Sequence, residues 1–316
     1  MRKIIYLFLI LMITGLIINP AEAINAKAPQ NAENVSVDVD CNDVKETEAC
    51  LIKKVSIKDK LQRTPEAQIK SFYKNFNKYS DKENFEKLKL LYSDKFVNND
   101  GLTKDIIFKF MEESANTYKN VKYTTEIKDI KVSGFYASVS AEERAIGETA
   151  KGFKEIPGVG SVESYMKYTD YLVKENGKWK ILSTNIEQED VTLRYGRAKI
   201  MEMNVTAPDN VPAGSEYDVT VTTNSVSEDF IVGSITNEPI TYPQIQAKDV
   251  LRAVKADELA RVLKANTDGK NEYTTVSLAV SKANIAPEGV VISMEGIAIL
   301  MHRVNVFNPQ KIIIGE

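Results

Sequence analysis

Tyr171-Leu172-Val173-Lys174-Glu175-Asn176-Gly177-Lys178-Trp179-Lys180-Ile181 folds back on itself at Asn176-Gly177, because both residues tolerate the positive φ that a two-residue hairpin turn requires. A tight turn there sets Glu175 opposite Lys178, Lys174 opposite Trp179 and Leu172 opposite Ile181. Side chains alternate along a strand, so Met166, Tyr168, Asp170 and Leu172 share a face with Trp179, Ile181 and Ser183. Lys167, Thr169, Lys178 and Lys180 point the other way. The first face is the apolar one, and Asp170 is the carboxylate set into it. A carboxylate among Met, Tyr, Leu and Trp is desolvated, which favours its protonated form and suits it to proton transfer. Asp170 is therefore the candidate catalytic residue, and Met166, Tyr168, Asp170, Leu172, Trp179 and Ile181 are the candidate ligand-binding set. The alternative reading keeps Asp170 at an open end of the sheet, or paired with Tyr168, Ser183 or a lysine, without chemistry.

Upstream of this hairpin the pattern is first helical, then extended. Thr64 can cap a helix with Pro65 at its first position, and Ile69, Phe72, Tyr73 and Phe76 recur at helical spacing. Ser80 and Glu83 have the spacing of a capping box for a second helix, with Phe85, Leu88, Leu91 and Tyr92 on one stripe and an end near Asp94. After the turn-forming Asn98-Asn99-Asp100-Gly101, Thr103 can cap a third helix carrying Ile107, Phe110, Met111 and Tyr118. Strands are expected near Val121 to Val132, Phe135 to Ile146 and Val162 to Val173, with Gly147 to Gly160 as a loop between them. Tyr73, Tyr118 and Tyr123 are inward-pointing options that packing also explains.

Three aromatic-lined helices followed by a curved antiparallel sheet, closing on the hairpin of Tyr171 to Ile181, resemble the nuclear-transport-factor-2-like superfamily. This is the cone-shaped fold shared with ketosteroid isomerases and polyketide cyclases. Tyr92-Ser93-Asp94-Lys95-Phe96 with Gly101-Leu102-Thr103 looks like the loop between its second and third helices. The resemblance covers about residues 64 to 186 and is structural, since none of its motifs is a catalytic signature and the fold hosts many functions. It implies that the face bearing Asp170 lines the interior of a cone, as in family enzymes that move a proton beside a carbonyl with an aspartate. Such cones commonly pair through the outer sheet face, so a homodimer is one option and cover by the rest of the chain is another.

Past Glu187-Gln188-Glu189-Asp190 the pattern changes, and a second, mainly β domain is expected over 197–316. Ile200 to Val205 reads as a strand, and Tyr217, Val219 and Val221 alternate with polar residues as a half-buried one. Ala207-Pro208 through Ala213-Gly214 and into that strand is loosely similar to immunoglobulin-like sandwiches of bacterial surface proteins. Further strands are expected at Phe230 to Thr236, Tyr273 to Val280, Val290 to Met294 and Ala298 to Phe307. In Lys248 to Ala265 the apolar residues have helical spacing with one slip, so an inserted helix is expected and two β segments are the alternative. The fold class is thus α+β: a cone domain at 64–190, helices on a curved antiparallel sheet, followed by a sandwich-like domain at 197–316.

The N-terminus reads as a secretory signal peptide over 1–23. Arg2 and Lys3 precede an apolar run from Ile4 to Ile18, and Ala21-Glu22-Ala23 is a small-x-small cleavage site. The run falls short of the roughly 20 residues a spanning helix needs, and Asn19-Pro20 end it. No cysteine follows directly to carry a lipid, so the mature chain is expected to have no membrane anchor and to work outside the cytoplasm, periplasmic or secreted. Residues 24–63 are polar and poor in aromatics, an extended arm. Both cysteines, Cys41 and Cys50, lie in it, and an oxidising compartment would let them pair, closing a small loop worth at most about 2–3 kcal/mol.

Forty-one Lys and Arg against 44 Asp and Glu give a net charge of −3, one unit more negative once Arg2, Lys3 and Glu22 are removed. No basic excess is present to draw nucleic acid or an anionic membrane. The single histidine, His302, rules out histidine-based triads and paired-histidine metal sites by count, and is expected to be structural or at the surface. Gly158-Val159-Gly160 follows no strand-to-helix phosphate motif, and neither Gly-x-Ser-x-Gly nor a P-loop occurs. No cofactor and no metal are expected. Charge clusters Glu142-Glu143-Arg144 and Glu187 to Asp190 read as solvated faces.

Two functions fit: an exported non-catalytic binding or scaffold protein of the bacterial cell envelope, engaging a protein, peptide or envelope component, or a small-molecule carrier or isomerase/dehydratase-like enzyme using Asp170. On either reading, N-terminal sequencing of the chain exported from a bacterial host should begin at Ile24. Recovery of an uncut chain in the membrane fraction would replace the signal peptide with an anchor.

Overall fold

The computed structural model describes residues 64–153, 156–224, 229–244, 252–254, 257–286 and 289–309. The expected signal peptide, the arm, Cys41 and Cys50 lie outside the described residues.

Helix α1 (Pro65–Ser80) starts where the sequence places it: the Thr64 hydroxyl accepts from the Ala67 amide at 3.3 Å and Pro65 takes the first turn. It buries Ile69, Phe72, Tyr73 and Phe76. Helix α2 (Phe85–Lys89) departs from expectation. Its cap is Asn84, which accepts from the Lys87 amide at 3.0 Å, whereas Ser80 ends α1. Glu83 takes φ 52° in the turn between them and stands outside α2, so the Ser80–Glu83 capping box does not form. Helix α3 (Lys104–Thr117) follows Thr103 and buries Ile107, Phe108, Phe110 and Met111.

Four long strands follow as an antiparallel meander: β1 (Tyr118–Ser133), β2 (Tyr136–Phe153), β3 (Ile156–Glu175) and β4 (Lys178–Gly196). The hairpin register is the expected one, Glu175 to Lys178, Lys174 to Trp179 and Leu172 to Ile181, with φ 49° at Asn176 and 76° at Gly177. Where it is described, the expected loop of Gly147 to Gly160 is instead strand, β2 continuing to Phe153 and β3 starting at Ile156. Gly147, Gly152 and Gly160 serve close packing, a Cβ on Gly160 standing 2.8 Å from the Tyr195 ring, whereas Gly158 takes φ 84° with open space around it. The pairing of β3 with β4 also slips twice, between Tyr171 and Leu172 and between Lys167 and Tyr168. An extra residue reverses the order of inside and outside. Ser183 therefore faces out, where its hydroxyl donates to the Val97 carbonyl at 2.6 Å, and Thr184 takes the inner position.

After a 3₁₀ turn (Arg197–Ile200), where the expected strand from Ile200 would have begun, come β5 (Met203–Thr206), β6 (Asn210–Pro212), β7 (Glu216–Thr223), β8 (Asp229–Pro239), β9 (Arg252–Ala253), β10 (Glu258–Lys264), β11 (Glu272–Ala286) and β12 (Gly289–Phe307). The described part of Lys248 to Ala265 holds two strands, β9 and β10, the second of the two readings. In β10, Leu263 is buried while its neighbour Val262 is 58 % exposed, a period of two that a helix would not produce. The main sheet runs β1-β2-β3-β4-β12-β11-β8-β9, with β6 parallel to the end of β12, and β10-β7-β5 form a smaller sheet. The fold is accordingly richer in β than a balanced α+β protein, its α-helices confined to residues 65–117 among the described ones.

Strand β12 pairs with β4 over Asp190–Gly196, so hydrogen bonding is continuous between the cone and the strands beyond it. Over Ala298–Val304 it is buried on both faces. Ile299 and Met301 join the cone core with the aromatic residues of α1, and Ala298, Leu300, Val304 and Val306 join a second core with Val219, Val221, Leu263 and Val276. Arg303 on the same strand is fully buried. Both its terminal nitrogens donate to Asp100, Nη1 to Oδ2 at 3.1 Å, and its Nε donates to Asn305 Oδ1 at 2.9 Å. Tyr273 on β11 donates to Glu189 Oε2 at 2.8 Å, and Arg303 Nη1 lies 4.0 Å from the same oxygen. The turn before α3, β4, β11 and β12 thus meet at one buried cation. No helix among the described residues is long and apolar enough to cross a membrane.

Removing the guanidinium strands two buried carboxylates, so Arg303→Ala should lower unfolding free energy by about 3–5 kcal/mol in urea denaturation. A loss below about 1 kcal/mol, the value of an exposed pair, would show that the clasp is dispensable.

Candidate functional site

Asp170 is 1 % exposed and points into the cone. The Tyr73 hydroxyl, from α1, donates to its Oδ2 at 2.7 Å, and the Thr184 hydroxyl, from β4, donates to its Oδ1 at 2.7 Å. Neither Tyr168 nor Ser183 nor a lysine is the partner in these two bonds. Burial, and then the Asp170 charge beside it, push the Tyr73 phenol well above its ordinary range, so it stays a neutral donor.

Met166, Tyr168, Leu172, Trp179 and Ile181 are all buried on the same inner face, as their alternation requires. Trp179 does not touch Asp170 across the hairpin: the Leu172–Ile181 pair stands between the Trp179 and Asp170 positions. The indole lies instead under the Lys174 ammonium, 5.4 Å from the ring centre. Tyr118 and Tyr123 also point inward and are buried.

A second carboxylate shares the interior. Glu143 on β2 is 3 % exposed and accepts from the Thr125 hydroxyl at 2.8 Å. Burial pushes its carboxyl up to about 8; the Thr125 hydroxyl pulls it back and the Asp170 charge adds to the rise. Glu189 is likewise buried, and burial lifts it to about 7 against the pull of Arg303 and the Tyr273 hydroxyl. The two acidic clusters are therefore not solvated faces throughout. Alternation buries Glu143 and Glu189 while Glu142, Arg144 and Gln188 remain on the other side.

A protonated Glu143 and an acceptor at Asp170 are the kinds of group proton transfer employs. A reacting atom, however, needs room beside them. The cavity in this half of the molecule is lined by Tyr92, Phe96, Leu102, Met166, Thr184 and Glu189, among others, and its volume is about 20 Å³, space for about one water. Of the six candidate residues only Met166 lines it. Aromatic side chains such as Phe76, Tyr92 and Phe108 pack edge to face or tilted in the same core.

His302 lies outside this core, 7 % exposed, with Nδ1 2.7 Å from Asp190 Oδ1 and Nε2 3.5 Å from Asp209 Oδ1. Burial lowers its pKa, but the Asp190 hydrogen bond and charge, with Asp209 behind, outweigh that and raise it. It stands at the seam of β4 and β12, paired across it with Asp190. No cluster of potential metal ligands occurs among the described residues. On the outer face of β3 and β4 a polar cleft of about 510 Å³ opens toward β6 and β12, with Lys167, Asn185, Glu187, Asp209, Asn210 and Asn305 on its walls.

No family model matches the sequence, and no curated protein matches it. Among solved structures, the chain is similar to a putative scytalone dehydratase from Novosphingobium aromaticivorans, at 20 % identity over 38 % of this chain and 80 % of that one, with a TM-score of 0.32. It is similar also to a ketosteroid isomerase-like protein from Erwinia carotovora atroseptica, at 15 % identity over 38 % and 92 % of the two chains, with a TM-score of 0.30. A third is an NTF2-like protein from Cytophaga hutchinsonii, at 16 % identity over 39 % and 98 %, with a TM-score of 0.30.

Thr184, Glu143, Glu189, Asp100 and Arg303 were not singled out from sequence. For Glu143 a signal existed, since Val139, Ala141 and Ala145 alternate with it on one face of β2. For Thr184 none did, because the bulge that turns it inward has no signature. The folded chain keeps a proton on Glu143 that the unfolded chain releases above the ordinary value of 4.5, so stability should fall as pH rises from there to about 8 and then level off. Glu143→Gln removes that contribution, leaving one of the same sign from Glu189. In thermal melts between about pH 5 and about pH 9 the variant should lose less Tm than the parent, and equal losses would refute the buried-acid assignment.

Proposed function

We propose that this chain is an exported, non-catalytic binding or scaffold protein of the bacterial cell envelope. The observation that carries the reading is the close packing around Asp170: it is held by Tyr73 and Thr184, and the cavity lined by Thr184 has room for about one water. Proton transfer on a carbon skeleton, or carriage of an apolar molecule, calls for a pocket an order of magnitude larger. What the molecule offers a partner is its surface and its polar cleft. The signal-peptide pattern of residues 1–23 supports a position in the envelope. The buried Glu143 and Asp170 favour a second reading, a small-molecule carrier or isomerase- or dehydratase-like enzyme whose cone opens to admit its ligand.

Trp179, the single tryptophan, sits in the cone core and distinguishes the two. Titration of the full chain with a library of lipophilic molecules should leave its emission unchanged, and cell fractionation should find the chain outside the cytoplasm. A saturable emission change, abolished by Asp170→Ala, would favour the carrier or enzyme. Retention in the cytoplasm would remove the envelope role.

A further inference from the structure

We infer that the polar cleft between the outer face of β3–β4 and the β6–β12 edge binds a neutral saccharide. The inference rests on the reading of the chain as an exported binding protein and names the chemistry it would bind. The cleft's volume of about 510 Å³ lies within the range of small-molecule sites. Its frame is already fixed by amides whose hydrogen bonds are spent on the protein. Asn99 brackets Ile186, donating to its carbonyl and accepting from its amide, both at 3.1 Å. Asn271 accepts from the Val306 amide at 3.1 Å and donates to Asp100 at 2.9 Å. Asn305 donates to the carbonyls of Glu187 and Asp209 at 2.7 and 3.2 Å.

Set into this frame are polar groups with capacity to spare. The side-chain amides of Asn185 and Asn210 line the cleft, and neither makes a hydrogen bond to the described residues. Each offers two donors and an acceptor. The Lys167 ammonium is paired with Glu187 at 2.9 Å, and Asp209 adds a further carboxylate, so the lining has no cationic excess to favour a phosphate or a polyanion. Ile186 and Val306, the aliphatic residues of the lining, have their side chains buried in the two cores, so the cleft offers little to an apolar ligand. Closely spaced amides, which give and accept hydrogen bonds, and carboxylates, which accept them, match the hydroxyls of a sugar, which do both.

The outer face continues from the cleft to an aromatic platform. Thr169 pairs with Asn185 and Tyr171 with Ser183, so Tyr171 lies on the same face, one same-face step farther along β3. It is 47 % exposed, and Tyr136, 60 % exposed, is its diagonal neighbour on β2. An exposed ring beside a polar cleft gives the apolar face of a pyranose a surface to stack on, which amphipathic tyrosine suits.

The probes are chitotriose, maltotriose and cellotriose by titration calorimetry for soluble sugars, and co-sedimentation with insoluble chitin and with purified peptidoglycan sacculi for polymers. The full chain should bind at least one of these saturably; binding in solution identifies a free sugar as sufficient, and binding only by sedimentation identifies a polymer. Asn185→Ala, Asn210→Ala and Tyr171→Ala should each weaken it by roughly tenfold while leaving the melting temperature unchanged, whereas Lys131→Ala on the exposed edge strand β1 should bind as the parent does. The inference is overturned if none of the five probes binds, or if binding survives all three cleft substitutions at parental strength. Export with an unresponsive Trp179 but no saccharide binding would sink this inference alone. Cytoplasmic retention would sink the broader reading while the titrations still report on the cleft.

Discussion

The Arg303 guanidinium, enclosed against Asp100 and close to Glu189, holds the two halves of the molecule to one another. A buried cation is tolerated only when its hydrogen bonds are satisfied, and here Asp100 and Asn305 receive them. The partners come from the turn before α3 and from β12 itself, with Tyr273 on β11 holding Glu189 on β4 beside them. The charges therefore do more than neutralise one another. Together with the β4–β12 ladder they fix how the helix-bearing side of the sheet meets the strands beyond β4, which apolar packing, having no direction, would not do alone.

That constraint explains why β12 carries apolar residues on consecutive positions. Most strands here alternate because one face is covered; β12 is covered on both, by the cone core through Ile299 and Met301 and by the second core through Ala298 and Leu300. His302 sits in the same run and is accommodated because Asp190 accepts or shares its proton. A strand common to two cores makes a boundary between them a change of packing partner, while the hydrogen-bonded sheet passes through without a break.

The interior of the cone shows the same economy of space. Aromatic rings from α1, α3 and the loop between α2 and α3 meet the inner faces of β3 and β4, and Asp170 and Glu143 are enclosed among them with hydroxyl partners. Enclosure raises the energy of a charged carboxylate, and each acid answers it differently: Asp170 by two donors, Glu143 by holding its proton near neutrality. The space that a ligand could use is on the opposite face of the same strands, where Lys167, Asn185 and Glu187 look outward.

Much of the local order was readable from the chain. The Asn176-Gly177 turn set the β3–β4 register as far as Leu172–Ile181, and alternation put Met166, Tyr168, Asp170, Leu172, Trp179 and Ile181 on the buried face, because those relations depend on neighbours a few residues away. Thr64 and Pro65 likewise announced α1. The Gly147 to Gly160 stretch misled, since glycine chosen for close approach to Tyr195 looks the same as glycine chosen for a turn. The bulge that exchanges Ser183 for Thr184, the burial of Glu143, the pairing of β4 with β12 and the encounter of Arg303 with Asp100 were decided by tertiary structure. Residues far apart in sequence satisfy one another there, and no local pattern records which distant carboxylate will meet which buried cation.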